Sequence, residues 1–121
     1  MLGECVACGS QGRETHHVVF RSQGSYMRGI KVNLVPLCIQ CHRGTLGVHN
    51  NKRLDLQLKV KLQFKLQEMF PEKWYDREQI QEKLECTDFD TTLILKKMCL
   101  YRYGYNAEQL VMRLLGGRLY D

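Results

Sequence analysis

Two stretches decide how this chain is read: Thr15-His16-His17-Val18-Val19-Phe20, and Ile30-Lys31-Val32-Asn33-Leu34-Val35-Pro36-Leu37-Cys38-Ile39-Gln40-Cys41-His42. Both carry β-branched residues, and the first adds Phe20, which predicts two strands, 15–20 and 30–35, folded back as a hairpin. Their connector, 21–29, is polar, with Arg21, Gly24, Arg28 and Gly29. Pro36 is expected to end the second strand, and a turn carrying Cys38 follows. Neighbouring residues on a regular strand face opposite ways. For His16 and His17 to serve one site, the first strand must therefore twist, bulge or end there.

Working outward, the second stretch closes on Cys38-x-x-Cys41, and an equivalent pair, Cys5-x-x-Cys8, stands near the start, with 29 residues between the pairs. A C-x-x-C turn aims two thiolates at one ion, and two such turns complete a tetrahedral zinc site. The spacing leaves room for the hairpin between the turns. A disulfide framework or a redox pair would explain the cysteines too. However, Met1–Cys5 has no secretory leader pattern, and the two remaining cysteines, Cys86 and Cys99, stand unpaired in apolar surroundings, where ordinary buried thiols are expected. Both features point to a reducing compartment, the cytoplasm. His42, next to Cys41, offers itself as a substitute zinc ligand.

The chain has 121 residues, 44% of them apolar and 26% charged, which is the composition of one small globular unit rather than a disordered tract. No apolar run is long enough to span a bilayer, and neither GxGxxG nor a Walker lysine loop is present. The formal charge is +5. Residues 1–53 hold seven Lys/Arg and two acids, so the whole excess lies there, whereas 54–121 hold eleven of each. All four histidines and four of the six cysteines share the basic segment. A basic face beside a His/Cys cluster suggests a polyanionic partner.

Taken together, Cys5-x-x-Cys8, Thr15-His16-His17-Val18-Val19, Asn33-Leu34-Val35-Pro36-Leu37, Cys38-x-x-Cys41-His42 and His49 resemble the HNH endonuclease family, of the ββα-metal (His-Me finger) type with a zinc-ribbon brace. The resemblance spans residues 4–50, less than half of the chain. It implies an α+β fold with a ββα-metal nuclease domain over 1–70; the helical C-terminal extension expected over 71–121 is read from the residue pattern there and lies outside the resemblance. The resemblance also implies a metal-dependent hydrolysis of DNA phosphodiesters. His17 would be the general base, Asn33 the loop anchor, and His16 and His42 the ligands of one catalytic divalent ion. His49 stays open between that site and the surface. Structural zinc would sit on Cys5, Cys8, Cys38 and Cys41. With imidazole in place of a carboxylate at His16, the catalytic ion would be Mn²⁺, Ni²⁺, Zn²⁺ or Co²⁺ as readily as Mg²⁺. Arg21, Arg28, Lys31, Arg43, Lys52 and Arg53 are candidate phosphate contacts as a group. DNA is the expected partner, in a bacterial or phage-infected cell. The competing reading is a non-catalytic zinc-ribbon module that only binds nucleic acid; it accounts for the cysteines and the charge but not for the order of the histidines and Asn33.

Beyond residue 53 the pattern is ambiguous. From Leu54 to Leu66 apolar and polar residues alternate, a strand period, yet the residue types are strong helix formers and Leu54, Leu58, Leu62, Leu66 and Met69 form an i, i+4 stripe. A helix over 54–70 is expected, packed on two sides and stopped by Pro71. Three shorter helices follow: 76–85, one capped at Thr87 or Asp88 and running to about Tyr103, and 107–115, capped by Asn106 and closed by Gly116-Gly117. Tyr101, Tyr103, Tyr105 and Tyr120 are expected in core or boundary packing. The resemblance does not reach these helices, whose candidate roles are setting DNA geometry, forming a homodimer or contacting a partner.

Overall fold

The structure is a computed structural model that describes residues 3–120; Met1 and Leu2, which open the stretch read for a leader, and Asp121 lie outside it. The architecture is mixed α+β with small sheets. Its elements are β1 (Glu14–His17), β2 (Leu34–Leu37), α1 (Ile39–Arg43), α2 (Lys52–Met69), β3 (Trp74–Tyr75), α3 (Arg77–Leu84), α4 (Asp88–Leu95), β4 (Tyr105–Asn106) and α5 (Ala107–Leu114). The strands form two antiparallel pairs, β1 with β2 and β3 with β4.

The hairpin exists, but it is shifted from the expected one. Glu14 pairs with Leu37, Thr15 with Pro36, His16 with Val35 and His17 with Leu34. Residues 30–33 leave the strand because Lys31–Asn33 form a 3-10 turn that carries Asn33 inward. Val18 and Val19 lie beyond β1, buried in the core. Pro36 does not end the strand. Its carbonyl accepts from Val6 N–H (3.0 Å), so its outer edge faces the N-terminal Cys5–Cys8 turn. A residue's N–H and C=O share one edge of an antiparallel strand, so the missing proline N–H costs the β1–β2 ladder nothing.

The conflict at 54–66 resolves as helix. Asn51 caps α2 by accepting from Leu54 N–H (3.2 Å). Leu58, Leu62 and Leu66 are buried along one side, whereas Leu56 and Phe64 stay exposed, so α2 packs on one side and not on two. Asp76 caps α3 with Gln79 in a reciprocal capping box, Thr87 caps α4, and Asn106 caps α5. α4 stops at Leu95 instead of running to Tyr103. Arg113 donates to the Leu93 and Ile94 carbonyls there (2.9 and 2.8 Å), and the chain then turns back so that Tyr101 meets Trp74 edge-on and Tyr103 lies tilted against it. Those two tyrosines are exposed, and so is Cys99, which is not a buried thiol.

One hydrophobic cluster runs through both parts of the chain, from Val18, Met27 and Ile30 through Leu62 and Leu66 to Ile80, Ile94 and Leu110. Two polar contacts reinforce it. The Tyr26 hydroxyl donates to the Arg113 carbonyl (2.6 Å), and the Gln63 amide exchanges two hydrogen bonds with the Tyr120 backbone. Among the described residues no helix is long and apolar enough to cross a membrane.

Candidate functional site

The two C-x-x-C turns meet. Ligand atoms of Cys5, Cys8, Cys38 and Cys41 all lie within 4.8 Å of one another, and Cys8 Sγ is 3.7 Å from Cys38 Sγ. Zn–S bonds of ~2.3 Å in a tetrahedron place sulfurs about 3.8 Å apart, so that edge already has the right length. Local structure builds the set. Cys38 is the N-cap of α1, its sulfur accepting from Cys41 N–H (3.4 Å). Gly9 follows the first pair in the left-handed region at φ 80°, and Gly9 N–H closes the turn on the Cys5 carbonyl. Hydrogen bonding from the Cys41 amide is the main influence that draws the Cys38 thiol down to about 6, whereas burial pushes Cys41 up. Four crowded sulfurs cannot all ionise without a cation among them. The cluster could hold a structural metal such as zinc.

A second cluster is joined to the first through His42, which follows Cys41. Ligand atoms of His16, His42 and His49 fall within 4.8 Å of one another, from β1, α1 and the turn before α2. Ring centroids are 5.1 Å (His16–His42), 5.2 Å (His16–His49) and 4.9 Å (His42–His49) apart. His16 is 1% exposed, and its Nε2 is buried with no hydrogen-bond partner. An orphaned buried nitrogen costs about 1–3 kcal/mol, a penalty that coordination to an ion would remove. Burial, reinforced by the charges of His42, His49, His17 and Lys59, lowers the His16 pKa to about 3. The ring is therefore neutral at pH 7, with a lone pair available to a metal.

His42 is oriented by a residue that the sequence reading passed over. Glu14 Oε1 accepts from His42 Nδ1 (2.9 Å), which leaves Nε2 as the free ring nitrogen, and the same carboxylate is bonded by the Arg43 guanidinium. Arg43, ahead of His42, holds the Glu14 carboxyl below the ordinary range. A carboxylate behind a ligating imidazole fixes its tautomer and raises its basicity. Glu14 stands two residues before His16, on the same side of β1, so strand periodicity could have found it. Phe20 was also missed. It walls the cluster, 5.7 Å from His16 and 5.3 Å from His49. Lys59 packs behind it, its Nζ 4.2 Å from the Phe20 ring centroid and 2.7 Å from Asp55 Oδ2, and it is 3% exposed. This i, i+4 pair adjoins the Leu58–Leu62 stripe and was legible only after projecting α2 as a helix.

His17 does not join the three imidazoles. It is the last residue of β1, and its Nε2 lies 3.1 Å from the Arg28 carbonyl. A carbonyl only accepts, so Nε2 carries the proton of this contact and the neutral ring would hold its lone pair on Nδ1. Asn33 is wholly buried beneath the same loop. Its Oδ1 accepts from Val19 N–H (2.7 Å), and its Nδ2 donates to the Val19 and Met27 carbonyls (3.2 and 3.1 Å). Among the candidate phosphate contacts, Arg21, Arg28, Lys52 and Arg53 are exposed and form no ion pair among the described residues. Lys31 pairs with Glu85 (3.5 Å), and Arg43 is engaged with Glu14. In comparisons with known proteins, no family model, no curated protein and no solved structure matches the chain.

Proposed function

We propose that this chain is an HNH-type endonuclease of ββα-metal architecture that hydrolyses DNA phosphodiesters with one divalent ion. The observation that carries the reading is the meeting of His16, His42 and His49, with a buried, unpartnered nitrogen on His16, beside a fourth histidine whose tautomer is set by a backbone carbonyl. The donor set fits a borderline metal: three imidazole nitrogens suit Mn²⁺, Ni²⁺, Co²⁺ or Zn²⁺ better than Mg²⁺. His49 thus joins His16 and His42 as a ligand. Such an ion, when bound, relieves charge on phosphoryl oxygens and on the leaving oxygen.

The remaining roles belong to the chain. Nδ1 of His17 takes a proton from a water as its oxygen bonds to phosphorus and the bond from phosphorus to the departing sugar oxygen breaks, that oxygen then taking a proton from solvent water; the Arg28 carbonyl holds the Nε2 proton in place. Asn33 keeps the loop that presents that carbonyl from moving. Glu14 orients His42. Zinc on Cys5, Cys8, Cys38 and Cys41 fastens the N-terminal turn to α1. The test is nicking of supercoiled plasmid with Mn²⁺, Ni²⁺ or Mg²⁺ by the wild-type chain and by His17→Ala. The variant is expected to lose cleavage with its zinc content and far-UV spectrum intact. Cleavage retained by His17→Ala refutes the assigned base, and binding without nicking under every metal favours a purely binding module.

A further inference from the structure

The sequence places every excess positive charge before residue 54, yet the fold builds a basic recess across the boundary. A cavity of about 360 Å³ is lined by the start of the hairpin loop, from Arg21 to Tyr26, by the end of α4 with Lys96 and Lys97, and by Arg113 of α5. Among the described residues no acid lines it, and none of the four cations makes an ion pair. Lysines after a helix are commonly explained by its negative end. That explanation is weakened here. Arg113 already satisfies the Leu93 and Ile94 carbonyls while its guanidinium lies 3.5 Å from the Tyr26 ring centroid. Arg113 is the strut that brings loop and helix together, and Lys96 and Lys97 are exposed beside Arg21 with no side-chain partner among the described residues. Gathering like charges around one hollow is unfavourable unless a polyanion neutralises them.

We infer that this recess is a second phosphate-backbone contact, in which Lys96 and Lys97 of the C-terminal region join Arg21 to hold the nucleic acid on which the histidine site acts. That the polyanion is a nucleic acid rests on the nuclease reading above; the recess itself does not. Its placement suits the role. Arg21 and Arg28 are the ends of one loop, and a chain of that length spans at most roughly 25 Å. The recess and the carbonyl that holds His17 therefore lie within one turn of a duplex, about 34 Å.

The experiment is anisotropy titration of a fluorescein-labelled 30-base-pair duplex across 50–200 mM salt, with no divalent ion added. The zinc-loaded chain carries His17→Ala so that the duplex stays whole. Lys96→Ala/Lys97→Ala is compared with Lys61→Ala/Lys65→Ala, an equal loss of charge at exposed positions that do not line the recess. Two lost phosphate contacts flatten the log–log salt slope by about 1.8, so the drop in affinity over this range becomes about tenfold smaller. Flattening confined to the Lys96/Lys97 pair supports the contact. No flattening, or flattening no greater than in the Lys61/Lys65 pair, overturns it. Failure of the wild-type chain to cleave with any metal, while the flattening persists, would instead sink the nuclease reading and leave the surface standing.

Discussion

Replacing Asn33 by alanine tests whether the loop above β1 is held by one side chain. The native amide is fully buried and makes three hydrogen bonds, to Val19 N–H, the Val19 carbonyl and the Met27 carbonyl. Alanine leaves all three groups without that partner. A buried unsatisfied backbone group costs about 1–3 kcal/mol, and a water entering the vacated space recovers part of it, so the expected loss is about 3 kcal/mol. With a urea m-value of roughly 1–3 kcal/mol/M for a small domain, the unfolding midpoint falls by about 1–3 M. Asn33→Asp is the sharper control. It keeps the oxygen that accepts from Val19 N–H but sets a second carboxylate oxygen against two carbonyl oxygens, so it is expected to be at least as damaging. Urea unfolding of zinc-loaded protein, followed by far-UV circular dichroism, reads both variants. A loss below about 1 kcal/mol for either would show that the loop is held by its backbone turns and core contacts instead.

Two further outcomes follow from the histidine cluster. Glu14→Gln keeps an acceptor for His42 but removes its charge and the ion pair to Arg43; divalent-ion affinity at the imidazoles, read by calorimetry with Mn²⁺ or Ni²⁺, is expected to fall 10–100-fold, and unchanged affinity would mean that Glu14 serves only to fasten α1. His16 has its pKa lowered to about 3 from an ordinary 6.5, so the unfolded chain takes up its proton first and His16's contribution, complete above that ordinary value, is lost as pH falls toward 3. Between pH 7 and pH 5 that amounts to about 2 kcal/mol, measured as the difference in urea stability between wild type and His16→Gln with no catalytic divalent added; parallel pH dependence in the two proteins would refute it.

Local chemistry made the helices and their caps legible. Thr87 and Asn106 each accept from the amide three residues on, as their types suggested, whereas Asp76, expected within its helix, turns out to cap it; the residue types of α2 outweighed its two-residue alternation. The coming together of the cysteines was readable because a C-x-x-C turn has few geometries. What the sequence hid was set by tertiary competition. Asn33 looks like a strand residue until its amide finds the Val19 and Met27 backbone, which draws 31–33 into a tight turn and moves the β pairing toward Cys38. The end of α4 is hidden for a similar reason: nothing in Lys96–Tyr103 breaks a helix, but Trp74 offers Tyr101 and Tyr103 an aromatic contact only if the chain turns back. Lys59 and Asp55 look like an ordinary surface pair until α2 is laid against Phe20.

The two clusters are mechanically coupled through α1. Five residues are too few for a helix to persist alone in water, since nucleation costs more than one turn of hydrogen bonds returns. α1 therefore depends on what holds its ends. At its start, Cys38 caps the helix and Cys41 lies within the sulfur cluster; at its close, His42 and Arg43 grip Glu14 of β1. The same helix delivers His42 to the imidazoles, and Val48 N–H returns to the Cys41 carbonyl (2.7 Å) just before His49. Two of the three imidazoles are thus positioned by a segment whose order depends on the sulfurs, while His16 is fixed independently by the β1–β2 pairing. Losing a metal from the cysteines would disperse the histidine site without touching a histidine, whereas losing an ion from the histidines would leave α1 capped and the fold standing. An ion on the sulfurs would therefore be a condition for assembling the imidazoles, whereas an ion on the imidazoles would be no condition for the fold.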